Sequence, residues 1–114
     1  MLDFEKQLSG DVLIEKVNLL RATTVEAGIM KKRLFDDIHL NKKKIIVDIS
    51  RCDFIDSTFL GALVVSLKRT SESGGDIKIV IGSSVVKKTL SITGFLKVFE
   101  NYSSVEDALK SFGS

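Results

Sequence analysis

Apolar and polar positions along the chain switch between two periods. "DFEKQLSGDVLIEKVNL" has branched apolar residues on both sides of Ser9-Gly10-Asp11, which predicts two short strands in an antiparallel hairpin. In "TTVEAGIMKKRLFDDIHL", Val25, Ile29, Leu34 and Ile38 recur at about one helical turn or multiples of it, and Thr23 with Glu26 has the spacing of a capping box. A helix is predicted there, with those four residues as its apolar stripe. "KIIVDIS" is a run of branched residues suited to a central strand buried on both faces.

From Ser57 the period lengthens again. Phe59, Leu60, Leu63, Val64 and Leu67 form one helical face, ending at Lys68-Arg69 and the loop "SESGGD". "IKIVIG" predicts another strand, and "SSVVKKTLSITG" a short helix on Val85, Val86, Leu90 and Ile92 that Gly94 terminates. "LKVFENY" reads as an edge strand, and "SVEDALKSF" as a last helix capped by Ser103 or Ser104. The order β-β-α-β-α-β-α-β-α implies right-handed crossovers, and therefore a mostly parallel mixed sheet with an antiparallel hairpin and about four helices.

Composition adds limits rather than features. With 114 residues, 44% hydrophobic and 28% charged, one α/β domain over residues 1–114 is expected. There is no proline, repeat or low-complexity tract to mark a linker. No apolar run reaches the roughly 20 residues of a membrane span, and the charged opening "MLDFEKQ" does not resemble a signal peptide, so a cytoplasmic protein is expected. A net charge of +2 argues against direct nucleic-acid binding; "KKR" at 31–33 and "KKK" at 42–44 read as a solvated helix face and a loop. Cys52 and His39 are the sole cysteine and histidine, which excludes an internal disulfide and leaves too few ligands for a zinc site. Cys52 is read as a core residue, His39 as a helix-end residue, and no cofactor is expected.

Asp56-Ser57-Thr58 joins the central strand region to the second helix, at the carboxyl end of a strand, where open α/β sheets usually carry their sites. With Asp56 as cap, Ser57 falls in the first turn, where free N–H groups and the positive end of the helix dipole favour an anion. A phosphate there would bring about −1.5 to −2 charges, with Asp56 opposing it. Capping alone also accounts for the three residues, and spacing leaves both readings open. A hydrolase using Ser57 as nucleophile is disfavoured because the one imidazole available as a base is His39.

"IIVDISRCDFIDSTFLGALVVSLKR" resembles the signature of STAS domains, specifically the anti-sigma factor antagonists, and "LSITGFLKVFENYSSVEDAL" is similar to that family's ending. The resemblance covers most of the chain from Lys44 onward; the first 40 residues agree in element order more than in letters. It implies a partner-switching regulator, bound and phosphorylated by an anti-sigma factor/serine kinase of the ATP-binding kinase fold and restored by a PP2C-type serine phosphatase. By motif it makes Ser57 the phosphoacceptor and Asp56, Ser57, Thr58, Phe59, Leu60 and Asn18 the partner-binding set. The sequence departs from the family pattern twice. Phe59 stands where glycine is commonest, and Asn18 where many members have aspartate. An aromatic ring beside the loop would either narrow kinase access or act as an exposed anchor. The second case suits a constitutive STAS docking subunit of a transporter or larger signalling assembly, not phosphorylated.

Overall fold

A computed structural model of the chain describes residues 2–113. The predicted hairpin forms from β1 (Phe4–Ser9) and β2 (Val12–Val17), antiparallel, with Ser9 opposite Val12 and Gly10-Asp11 as the turn. β4 (Lys44–Asp48) pairs parallel with β2 on one side and with β6 (Asp76–Val80) on the other. β7 (Asn101–Tyr102) closes the far edge, giving the order β1-β2-β4-β6-β7. The run "KIIVDIS" therefore supplies the middle strand, and Ile45 to Asp48 are buried. Ile45 and Val47 face one layer and Ile46 the other, which explains a continuous apolar run rather than an alternating one.

Helices α1 (Thr24–His39), α2 (Ser57–Glu72) and α3 (Ser84–Ile92) cover one face of the sheet. The shorter α4 (Val105–Ser111) covers the other, where Ala108 packs on Val12, Ile14, Ile46 and Val80. Lys78 emerges on that face and is nonetheless buried. Its ammonium donates to Ser111 Oγ at 2.8 Å, pairs with Glu100 at 3.0 Å and lies 4.2 Å from the Phe112 ring centroid. That set of partners compensates for the charge's loss of water.

Caps form where the sequence places them. Thr23 and Glu26 make the capping box of α1, Asp56 caps α2, and Ser104 rather than Ser103 caps α4. Gly94, at φ +79°, follows the last turn of α3 in the left-handed conformation that ends helices. Gly82 serves close approach instead: a Cβ there would stand 2.5 Å from the Ser50 carbonyl oxygen. The loops after β4 and β6 thus touch through backbone.

Several sequence expectations are corrected. "LKVFENY" is not one edge strand. Phe95–Lys97 form a 3-10 turn, and pairing begins only at Asn101. Phe95 and Phe99 are both buried and stack with centroids 4.6 Å apart, a helical i, i+4 contact that an alternating strand would break. In α1 the buried positions are Ala27, Met30, Leu34 and Asp37, one stripe at i, i+3, i+7 and i+10, which leaves Val25 and Ile29 exposed beside it. Val64, Val85 and Ile92 are likewise exposed, and α2 runs through Glu72 rather than ending near Arg69. Of the "KKR" face, Arg33 is not simply solvated, since it reaches a buried acid. Two short strands were not foreseen: β3 (Arg21–Ala22) and β5 (Phe54–Ile55), which pair with each other apart from the main sheet.

Candidate functional site

The β3–β5 ladder shapes the site. It ties together the connections that lead into α1 and α2, with Arg21 beside Phe54 and Ala22 beside Ile55 in parallel register. Asp53 N and Phe54 N donate to Leu20 O at 2.8 and 3.2 Å, and Asp56 N donates to Ala22 O at 3.1 Å. The Arg21 guanidinium lies 4.1 Å from the centroid of the Phe54 ring, an added cation–π contact across the ladder. As a result, the first turns of α1 and α2 start side by side at the carboxyl end of the sheet.

Asp56 caps α2 through Oδ1, which accepts from Phe59 N at 2.9 Å. Its Oδ2 lies 3.4 Å from the Thr24 hydroxyl, which is also 3.4 Å from the Thr58 hydroxyl. Thr24 carries no local signal in the sequence; the long-range β3–β5 pairing brings it here, 32 residues from Asp56. Ser57 and Thr58 are exposed, and the Ser57 hydroxyl makes no hydrogen bond among the described residues. Beyond them a groove runs between α1 and α2, opened by Ala27, Gly28, Gly61 and Ala62 and walled by Lys31 and the exposed Val65.

Asp56, Ser57 and Thr58 thus form one surface, and the other expected residues do not join it as presented groups. Phe59 is 0% exposed and Leu60 is also buried, so neither is a surface anchor. The cause is helical geometry. With Asp56 as cap, positions 59, 60, 63 and 67 turn inward as one stripe, and the Phe59 ring fills core between α2 and the sheet. Asn18 follows β2, and its amide is committed to its own neighbourhood, donating to Leu2 O and Glu5 Oε1, both at 2.9 Å. No hydrogen bond links it to Asp56, Ser57 or Thr58 among the described residues.

His39 is the last residue of α1, whose first residue is Thr24. At about 1.5 Å per residue that places it roughly 22 Å along the helix from the Ser57 end, too far to serve as a base for that hydroxyl. Cys52 is fully buried, and burial first, then the Asp48 and Asp53 charges, pushes its thiol up to about 12. Among the described residues no group of three or more His, Cys, Asp or Glu could hold a metal, and no helix is long and apolar enough to cross a membrane.

A mixed sheet that presents an exposed hydroxyl at a capped helix start, beside a shallow groove, is an α/β module with a surface site. The chain belongs to the STAS domain family, whose model matches residues 6–108. A Thermotoga maritima protein assigned provisionally as an anti-sigma factor antagonist is 33% identical over 110 residues, 94% of this chain and 95% of that one. A crystal structure of a provisionally assigned anti-sigma factor antagonist from Thermotoga maritima superposes with a TM-score of 0.88 at 28% identity, covering 97% of this chain and 95% of that one. SpoIIAA from Bacillus, solved in its phosphorylated form, shares the fold at a TM-score of 0.72 and 14% identity, covering 96% of this chain and 98% of that one. The fold is that of the anti-sigma factor antagonists.

Proposed function

We propose that this chain is a cytoplasmic partner-switching regulator. In this reading it binds an anti-sigma factor/serine kinase of the ATP-binding kinase fold and is controlled by reversible phosphorylation of Ser57, with a PP2C-type phosphatase reversing the modification. The observation that carries the proposal is Ser57 itself: an exposed hydroxyl without a hydrogen bond among the described residues, in the first turn of α2, between a capping carboxylate and a second exposed hydroxyl, Thr58.

The chemistry supports a switch read by the partner rather than by the fold. A phosphate at this position gains from the helix dipole and loses to Asp56, so the two effects partly offset each other within the domain. A partner shaped around a neutral hydroxyl has no such offset. Burying an unpaired charge at an interface costs several kcal/mol, where about 1.4 kcal/mol is already tenfold in affinity. The groove between α1 and α2, open at Thr24 and Thr58, gives the partner apolar area next to the switch.

Constitutive docking drew its support from an exposed Phe59, and that ring is interior. The test is phosphopeptide mass spectrometry on the protein from its native cells, with affinity for the cognate kinase measured for Ser57→Asp and Ser57→Ala. Condition-dependent phosphate on Ser57, with binding lost in the aspartate and kept in the alanine variant, is the expected result. Equal affinity of the two variants would overturn the proposal.

A further inference from the structure

Away from the Ser57 loop, β2 and α1 enclose two acids whose position the switch does not use. Glu15 on β2 and Asp37 near the end of α1 have side chains 0% and 1% exposed. Arg33, one turn before Asp37, reaches a single oxygen of Glu15: Nε donates to Oε1 at 2.9 Å and Nη2 pairs with the same oxygen at 2.8 Å. Lys6, opposite Glu15 on β1, donates to Asp37 Oδ1 at 2.6 Å, and its ammonium stands 3.7 Å from Glu15 Oε2.

That leaves Glu15 Oε2 and Asp37 Oδ2 buried, each without a hydrogen-bond donor among the described residues. One ammonium joins the two carboxyls: Lys6 Nζ stands 2.6 Å from Asp37 Oδ1 and 3.7 Å from Glu15 Oε2, so both acids crowd the same buried point between β2 and α1. An ionised carboxylate only accepts, so two of them present two lone acceptors face to face; one proton turns one acid into a donor to the other and satisfies both oxygens. We propose that Glu15 and Asp37 hold a single shared proton at neutral pH, forming a proton-binding latch that fastens the β1–β2 hairpin to α1.

The surrounding groups agree with one proton rather than none or two. Lys6 faces the pair from β1 and Arg33 from α1, while Lys42, in the loop after α1, lines the same cavity as Lys6 and Asp37. From β4 the residue beside Glu15 is the apolar Val47. Cations on two elements favour keeping one negative charge, whereas two adjacent buried carboxylates repel. Burial first, and then the neighbouring Asp37 carboxyl, pushes Glu15 up to about 8 against the opposing pull of Arg33.

The sign of the pH dependence follows. An unfolded glutamate releases its proton near 4.5, and the folded chain keeps it to about 8. The stability this proton contributes is full below 4.5, falls as pH rises through that interval and is gone above 8. An ordinary Glu15–Arg33 salt bridge would give the opposite slope, with stability lost on acidification.

Two measurements test the latch. In wild-type chain labelled with ¹³C at the Glu and Asp carboxyls, followed by NMR against pH, the Glu15 carbon is expected to titrate near 8. In equilibrium unfolding, Glu15→Gln, which keeps a neutral donor in place, is expected to match wild type at or below pH 4.5, and wild type should lose stability relative to it as pH rises through the interval to about 8. A Glu15 carbon that titrates at or below 4.5, or wild type gaining stability relative to the variant as pH rises, would overturn the proposal. The NMR titration decides the matter alone if the glutamine variant does not fold.

Discussion

The Thr24 hydroxyl lies 3.4 Å from Asp56 Oδ2, so the start of α1 touches the carboxylate that caps α2. Asp56 therefore has two tasks, accepting from Phe59 N along its own helix and meeting Thr24 across the β3–β5 ladder. Asp56→Ala should cost about 1 kcal/mol of unfolding free energy, the usual worth of a helix cap. Thr24→Val, which removes only the exposed long contacts with Asp56 and Thr58, should cost less than half of that. Denaturant titrations of both variants check the order, and a larger loss from Thr24→Val would mean that the lateral contact, rather than the cap, holds the loop.

Phe59 has no exposed surface, so its contribution belongs to stability. Phe59→Ala should destabilise by roughly 3–5 kcal/mol, the range for deleting a buried ring, while Phe59→Leu should cost clearly less. Phe59→Leu should also bind the cognate kinase as wild type does. A selective loss of binding in a fully folded leucine variant would return this position to the interface.

The contrast between exposed Ser57 and buried Phe59 shows what a motif conveys. Asp56-Ser57-Thr58 was legible because a cap is local: three residues and the following apolar stripe set which side chain turns out and which turns in. Motif resemblance puts Phe59 and Leu60 in the partner-binding set, whereas the apolar stripe they belong to turns both inward. The central strand and the hairpin were readable from branched runs and a Ser-Gly-Asp turn. Thr24, β3 and β5 were not. A two-residue parallel ladder has no periodicity of its own, and its partners lie on separate connections. Val25 and Ile29 misled for another reason, since the buried stripe of α1 is Ala27, Met30, Leu34 and Asp37, and a small residue and an acid do not register in an apolar periodicity.

Cys52 follows the β4 strand with its thiol fully buried and pushed up to about 12, chiefly by desolvation. Thiolate is the nucleophile, so the folded protein should resist iodoacetamide at pH 8. Alkylation should proceed at the rate of a free cysteine once denaturant unfolds the chain. Mass spectrometry over a denaturant series reads this directly, with labelling following the unfolding transition. Fast labelling of the native state would mean that the loop containing Arg51 and Cys52 opens locally.

Ser57 is exposed and its hydroxyl holds no structural bond among the described residues, so substitution there should leave the fold almost untouched. Ser57→Ala and Ser57→Asp should each unfold within about 0.5 kcal/mol of wild type, the range for surface positions without special contacts. The aspartate variant gains slightly from the helix dipole and loses slightly to Asp56, so its shift should diminish with added salt, as expected for exposed charges. Binding to the proposed kinase-fold partner should separate the two variants by far more than stability does. That gap between a near-zero folding effect and a large binding effect distinguishes a presented switch from a serine that merely starts a helix. Equal, small effects on both would leave Ser57 with only the second role.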